Sequence, residues 1–170
     1  MILYIIRHAI AAPLDPHDPA GDDSQRPLTG KGRTRMYRIA KGLKESGESI
    51  DLILTSPYLR AGQTARVLAK TFELGRDKIL VSEALAPAGQ VAGLVKDINE
   101  KCKGVEHVAL VGHEPYLSSL TALLLSGDPG LAIVLKKGGV CRLSIEMLQA
   151  GRCATLDWLL TPAQLVGIGG

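Results

Sequence analysis

Four side chains in this sequence are suited to holding and attacking a tetrahedral anion: Arg7 and His8 at the end of the apolar run LYII, Arg60 in SPYLRAGQTA, and His113 in VGHEP. An arginine presents a fork of N–H donors that grips two phosphate oxygens at once and spreads positive charge over the equatorial oxygens of a transferring group. A neutral imidazole nitrogen can attack phosphorus in line when the other ring nitrogen is held as a donor to a carbonyl or carboxylate. On this chemistry His8 is the candidate nucleophile, and Arg7, Arg60 and His113 are the candidate catalytic and substrate-binding groups around it. Each residue alone has a plainer reading, as a solvent-seeking or ion-paired arginine or as a hydrogen-bonded histidine. Desolvating Arg7 beside a buried strand without a partner is costly, so an acid or an anion must stand near it.

The elements that must position these residues alternate between strands and helices. Ile2–Ile6 is an unalternated apolar run, which predicts a central strand covered on both faces. After it, APLDPHDPAGDDSQRP has no periodicity and reads as a loop over the top of the molecule, ending at a Thr29 N-cap. Met36, Ile39, Ala40 and Leu43 then mark the buried stripe of a helix that closes near Gly47, with its lysines and arginines on a solvated face. Ile50–Thr55 is a second strand, and Ser56 and Pro57 supply the N-cap and first-turn proline of a second helix. Arg60 falls in its opening turn. A short strand at Lys78–Val81, a helix with Val91, Leu94, Val95, Ile98 and Cys102 inward, and a fourth strand at His107–Val111 follow. His113 sits at the corner into a further helix carrying Leu117, Leu120, Thr121 and Leu124. GVCRLSIEM and RCATLDWLL form a hairpin, and the tail VGIGG is expected to be loose.

This alternation predicts an α/β sandwich around a largely parallel central sheet, in one domain over residues 1–170. In such sheets ligands bind beyond the carboxyl ends of the strands, where helix N-termini point free N–H groups at anions. Arg7, His8, Arg60 and His113 all fall on that edge. His17, in the acidic loop, and His107, at a strand start, do not, and both read as structural.

Composition narrows the function classes. A hydrophobic content of 46% supports a sizeable core without metals or disulfides. The net charge of +3 is mild, with cations scattered along the chain, so neither a nucleic-acid nor a membrane partner is expected. Cys102, Cys141 and Cys153 are odd in number and lack CxxC spacing, which points to buried thiols in a reducing cytoplasm. The N-terminal apolar run is too short for a signal peptide, and Ser126–Gly130 breaks the only long apolar region. A zinc site from His8 and His113 is opposed by the two nearby arginines, so no metal or other cofactor is expected.

Taken together, Arg7–His8–Ala9, the block Ser56–Ala65 and Val111–Pro115 resemble the histidine phosphatase superfamily, with its Arg-His-Gly triplet, Ser-Pro-x-x-Arg-Ala-x-Gln-Thr motif and second histidine motif. RPLTGKG, Arg26–Gly32, is similar to the compact SixA-type phosphohistidine phosphatase branch. The resemblance runs in order to about residue 125 and is specific as a combination. It implies a three-layer, phosphoglycerate mutase-like fold, transient phosphorylation of His8, and Arg7, Arg60 and His113 holding the transferring group without a cofactor.

Two departures from the family pattern stand out. Ala9 replaces the usual Gly, which matters only if that position needs positive φ. Where larger members carry a catalytic Glu two residues after a Leu, this chain has Leu85, Ala86, Pro87. A protonated phosphohistidine departs as a neutral heterocycle with little help, whereas an alcohol leaving group benefits from an acid. The expected reaction is therefore hydrolysis of phosphohistidine on another protein. Glu83 is a candidate proton donor or a surface carboxylate, and Arg26 a substrate contact, a helix cap or a salt-bridge partner. Asp22 and Asp23 have no assigned role. The alternatives are a broad-specificity phosphomonoesterase of the same superfamily, acting on small phosphorylated substrates, and a non-catalytic phosphate-binding regulatory module.

Overall fold

The computed structural model describes residues 1–14 and 21–170, so His17 lies outside the described residues. The strands β1 (Ile2–Arg7), β2 (Leu52–Thr55), β3 (Ile79–Val81), β4 (His107–Gly112), β5 (Val140–Ile145) and β6 (Ala154–Leu160) form one sheet in the order β3-β2-β4-β1-β5-β6. The β3-β2-β4-β1 part is parallel, and β5 and β6 add an antiparallel hairpin beside β1. The sheet is thus mixed, and its parallel part carries the ends that matter here.

β1 explains why its sequence lacks alternation. Leu3 and Ile5 are buried in one core, with Leu94 and Ile98 of α3 (Val91–Lys101) and Leu117, Leu120 and Leu124 of α4 (Tyr116–Ser126). Tyr4 and Ile6 are buried in the other, beneath α1 (Gly30–Glu45), α2 (Leu59–Thr71) and α5 (Pro162–Ile168). Both faces of the strand are covered, giving three layers and requiring apolar side chains at every interior position.

The Thr29 N-cap is present, its Oγ1 accepting from the Gly32 N–H at 2.9 Å. Gly32 is needed for a close approach, because a Cβ there would lie 2.1 Å from the Ile10 carbonyl oxygen, in the segment leaving β1. The first turn of α1 is thereby pressed against the residues that follow His8.

Two local expectations are corrected. Ser56 does not cap α2, which begins at Leu59 with Tyr58 at the N-cap position and no side-chain cap bond. Instead Ser56 Oγ accepts from the Tyr58 N–H at 3.3 Å and bonds to His113. The tail is not loose either: Val166, Gly167 and Ile168 belong to α5, which starts at a Thr161 capping box with Pro162 in its first turn. Its glycines obscured a helix that is secured by its start and by packing on α1. A Cβ at Gly42 of α1 would lie 1.8 Å from the Leu165 carbonyl oxygen. Among the described residues, no helix is long and apolar enough to cross a membrane.

Candidate active site

The backbone ladder continues one residue past the strands at the carboxyl edge. The His8 N–H donates to the Gly112 carbonyl at 3.0 Å, and the Ser56 N–H donates to the Val111 carbonyl at 2.9 Å. These bonds join the loops after β1, β2 and β4, so residues more than a hundred positions apart in sequence share one small cavity of about 310 Å³. Arg7, His8, Arg60 and His113 all line it.

His8 is 6% exposed, and its Nδ1 lies 2.7 Å from the Ala9 carbonyl oxygen. A carbonyl only accepts, so Nδ1 carries the hydrogen. Independently, the Arg60 Nε–H donates to His8 Nε2 at 3.3 Å, which requires an unprotonated Nε2. Both contacts select one tautomer, with the lone pair on Nε2. Burial, and then the charges of Arg60, Arg7 and Lys137, push the His8 pKa down to about 4, against the opposing pull of the Ala9 carbonyl. The ring is neutral at pH 7.

His113 stacks obliquely near His8, with ring centroids 5.0 Å apart, and its Nε2 is 2.8 Å from Ser56 Oγ. Burial, followed by the proximity of His8 and Arg60, pushes its pKa down to about 3. Tyr58 meets the His113 ring edge-on at 5.0 Å and lies beneath the Arg60 guanidinium at the same distance. His113 Nδ1 and Arg7 Nε are buried without a hydrogen-bond partner among the described residues. An orphaned buried polar atom costs about 1–3 kcal/mol, which an anion accepting these bonds would relieve. Arg7 is otherwise held by Nη1 donating to the Leu135 carbonyl at 3.0 Å.

No carboxylate pairs with Arg7 among the described residues, and the arginine with an acidic partner is Arg60, which Asp23 meets. Arg60 donates from Nη1 to the Asp23 carbonyl oxygen at 2.6 Å and from Nη2 to Asp23 Oδ2 at 2.8 Å. Arg26 pairs with the other carboxylate oxygen at 2.7 Å and also lines the cavity, so its salt-bridge reading holds at a place where a substrate contact is also within reach. Burial would raise the Asp23 pKa, but the Arg60 hydrogen bond and the two guanidinium charges outweigh it and hold the carboxyl below its ordinary range. Asp22 only caps the 3-10 turn Asp23–Gln25, accepting from the Ser24 N–H.

Sequence reasoning left Asp23 without a role although its i, i+3 spacing to Arg26 was a signal, and it assigned Ser56 to a cap. Lys137 and Glu114 also line the cavity; Lys137, in the irregular α4–β5 connection, carries no local pattern that marks it. Glu83 is exposed and does not line the cavity, whereas Pro87 from the same loop does. His107 pairs with Asp51 at the opposite end of β4, as a structural residue would. Ala9 is buried without positive φ, since Glu73 is the one non-glycine residue with positive φ among those described. Its N–H donates to Thr64 Oγ1 at 3.1 Å, and alanine fits there without strain.

Comparison with known proteins agrees with this geometry. Residues 3–88 match the family model of the histidine phosphatase superfamily (branch 1). The chain is 40% identical to an uncharacterized protein of Picosynechococcus sp., over 98% of this chain and 99% of that one. It is 31% identical to the phosphohistidine phosphatase SixA of Escherichia coli, over 97% and 96% of the two chains. A solved structure of the protein histidine phosphatase SixA complexed with tungstate superposes with a TM-score of 0.82 at 29% identity, covering 97% of this chain and 99% of that one. This chain belongs to the histidine phosphatase superfamily (branch 1), shares the SixA-type architecture, and is a phosphatase.

Proposed function

We propose that the chain hydrolyses phosphohistidine on other proteins through a covalent intermediate on His8. The observation that carries this reading is the doubly constrained His8 tautomer, with its Nε2 lone pair among Arg7, Arg60 and His113. Nε2 attacks phosphorus as the substrate's P–N bond breaks, and that bond's electron pair leaves on the substrate imidazole. With its other ring nitrogen already protonated, the imidazole departs as a neutral heterocycle. Water then attacks the phosphorus on His8, loses a proton to solvent, and releases inorganic phosphate and the neutral ring. Arg7 and Arg60 offset the charge on the transferring oxygens, and His113 Nδ1 and Arg7 Nε supply unpartnered polar atoms beside them.

The likeness to SixA supports a protein substrate, and the six strands in one sheet support residues 1–170 acting as one catalytic unit. Cys102, Cys141 and Cys153 are free, the first two buried as expected and Cys153 only partly so, and free thiols fit action in the cytoplasm. One observation favours the broader phosphomonoesterase reading: Glu114, which forms no ion pair among the described residues, puts a carboxyl group in the cavity wall, where an acid would assist an alcohol leaving group.

Brief incubation with a labelled phosphohistidine protein and an alkaline quench is expected to leave acid-labile label on the wild type and none on His8→Ala. Label on His8→Ala refutes the nucleophile assignment. A higher kcat/KM on alkyl phosphates than on phosphohistidine selects the phosphomonoesterase reading.

A further inference from the structure

A second depression, of about 650 Å³, lies directly beside the catalytic cavity. No residue lines both, and two contacts link them. Ser56 lines the depression and is bonded to His113, and Gln25, which also lines it, belongs to the 3-10 turn that holds Asp23 on Arg60. On α2, Arg60 points into the catalytic cavity while Gly62 and Arg66, one helical turn apart, face the depression. Across from them stand Arg76 and Val81, the latter 55% exposed on β3, the edge strand of the sheet.

The charge in this depression is one-sided. Arg66 and Arg76 are exposed and form no ion pair among the described residues, and no carboxylate lines the depression. A Cβ built on Gly62 meets nothing within 4 Å, so the floor is open. A polypeptide with its phosphohistidine in the cavity must leave it across the rim, and an extended chain advances about 3.3 Å per residue. Flanking residues that leave on the Ser56 side enter a trough with two cations that are unpaired among the described residues and an apolar flank.

We propose that this trough seats an acidic stretch of the substrate protein that flanks the phosphohistidine, with its nearer carboxylates on Arg66 and those several residues further along on Arg76, at the amino end of β3. The proposal rests on the phosphohistidine reading and adds to it the kind of sequence that is selected. Rim charges of this sort act on encounter and on salt dependence more than on the chemical step. Each exposed pair contributes a few-fold, so two give about tenfold in kcat/KM.

The test uses two histidine peptides phosphorylated with phosphoramidate, one with Asp and Glu flanks and one with Ser and Gly flanks, together with free phosphohistidine. The wild type is expected to favour the acidic peptide about tenfold, with the preference shrinking as salt is raised. The double variant Arg66→Glu/Arg76→Glu is expected to lose the preference and keep its rate on free phosphohistidine. Gly62→Leu fills the floor with a better helix former, and is expected to slow both peptides several-fold while sparing free phosphohistidine. Equal wild-type rates on the two peptides, or a preference that survives the charge reversal, overturn the docking proposal while leaving the phosphohistidine reading intact. If the wild type hydrolyses alkyl phosphates and no form of phosphohistidine, the functional reading falls, and the docking proposal with it.

Discussion

Asp23→Asn separates two roles for the carboxylate that occupies Arg60. Both terminal nitrogens of Arg60 are engaged by Asp23, one by its carboxylate and one by its backbone carbonyl, and Nε points at His8. A phosphate taking the same fork must displace the carboxylate or bind beside it. The Arg60 side chain is 4% exposed and that of Asp23 41%, so the acid lies on the solvent side and a water-like dielectric applies to it. A single and a double negative charge about 6 Å apart then repel by about 1.4 kcal/mol, which is about tenfold in binding. Asparagine removes that charge and keeps the carbonyl that tethers Nη1. Competitive inhibition of p-nitrophenyl phosphate hydrolysis by vanadate is the assay, and the variant is expected to show a Ki about tenfold lower than the wild type. An unchanged Ki refutes competition for the Arg60 fork. A higher Ki refutes it in the opposite sense, making Asp23 the residue that keeps Arg60 aimed at the phosphoryl group.

Arg60→Lys keeps the charge but loses the fork and the Nε contact to His8, so kcat/KM is expected to fall about a hundredfold with a native-like circular dichroism spectrum. Near-wild-type turnover would remove Arg60 from the mechanism. The imidazole of His8 in the ligand-free protein is expected to titrate near pH 4 by NMR, against an ordinary value near 6.5. Because the unfolded chain takes up this proton before the folded one does, stability is highest above pH 6.5 and declines as the pH falls toward 4; His8→Ala should flatten that slope in melting experiments. Gly42→Ala drives a Cβ into the Leu165 carbonyl, and is expected to destabilise the fold by about 2 kcal/mol and raise hydrogen exchange in α5, where an unchanged melting temperature would contradict the packing.

Most of the architecture was legible because local chemistry and tertiary demand coincide. The unbroken apolar run of β1 has one solution, a strand covered on both faces, and the structure covers both. Thr29 caps α1 as its type and position dictate. Where two local signals conflicted, sequence reasoning erred. The glycines of the C-terminal tail outweighed the Thr161–Pro162 start, although the helix is held by packing on Gly42, a contact about 120 residues away that no local pattern reveals. Ser56 looks like a cap in isolation and is a histidine partner in the fold.

The chain alone determined which side chains could handle a phosphoryl group and that they follow the carboxyl ends of strands, since side-chain type and strand periodicity are local properties. Folding decided what each one faces. The His8 tautomer depends on the neighbouring Ala9 carbonyl and on Arg60, 52 positions away, and the Arg60 fork is met by Asp23, an acid whose local spacing points to Arg26 and not to Arg60. Electrostatic interactions depend on distance through space, and that distance exists only once the strands have brought their ends together.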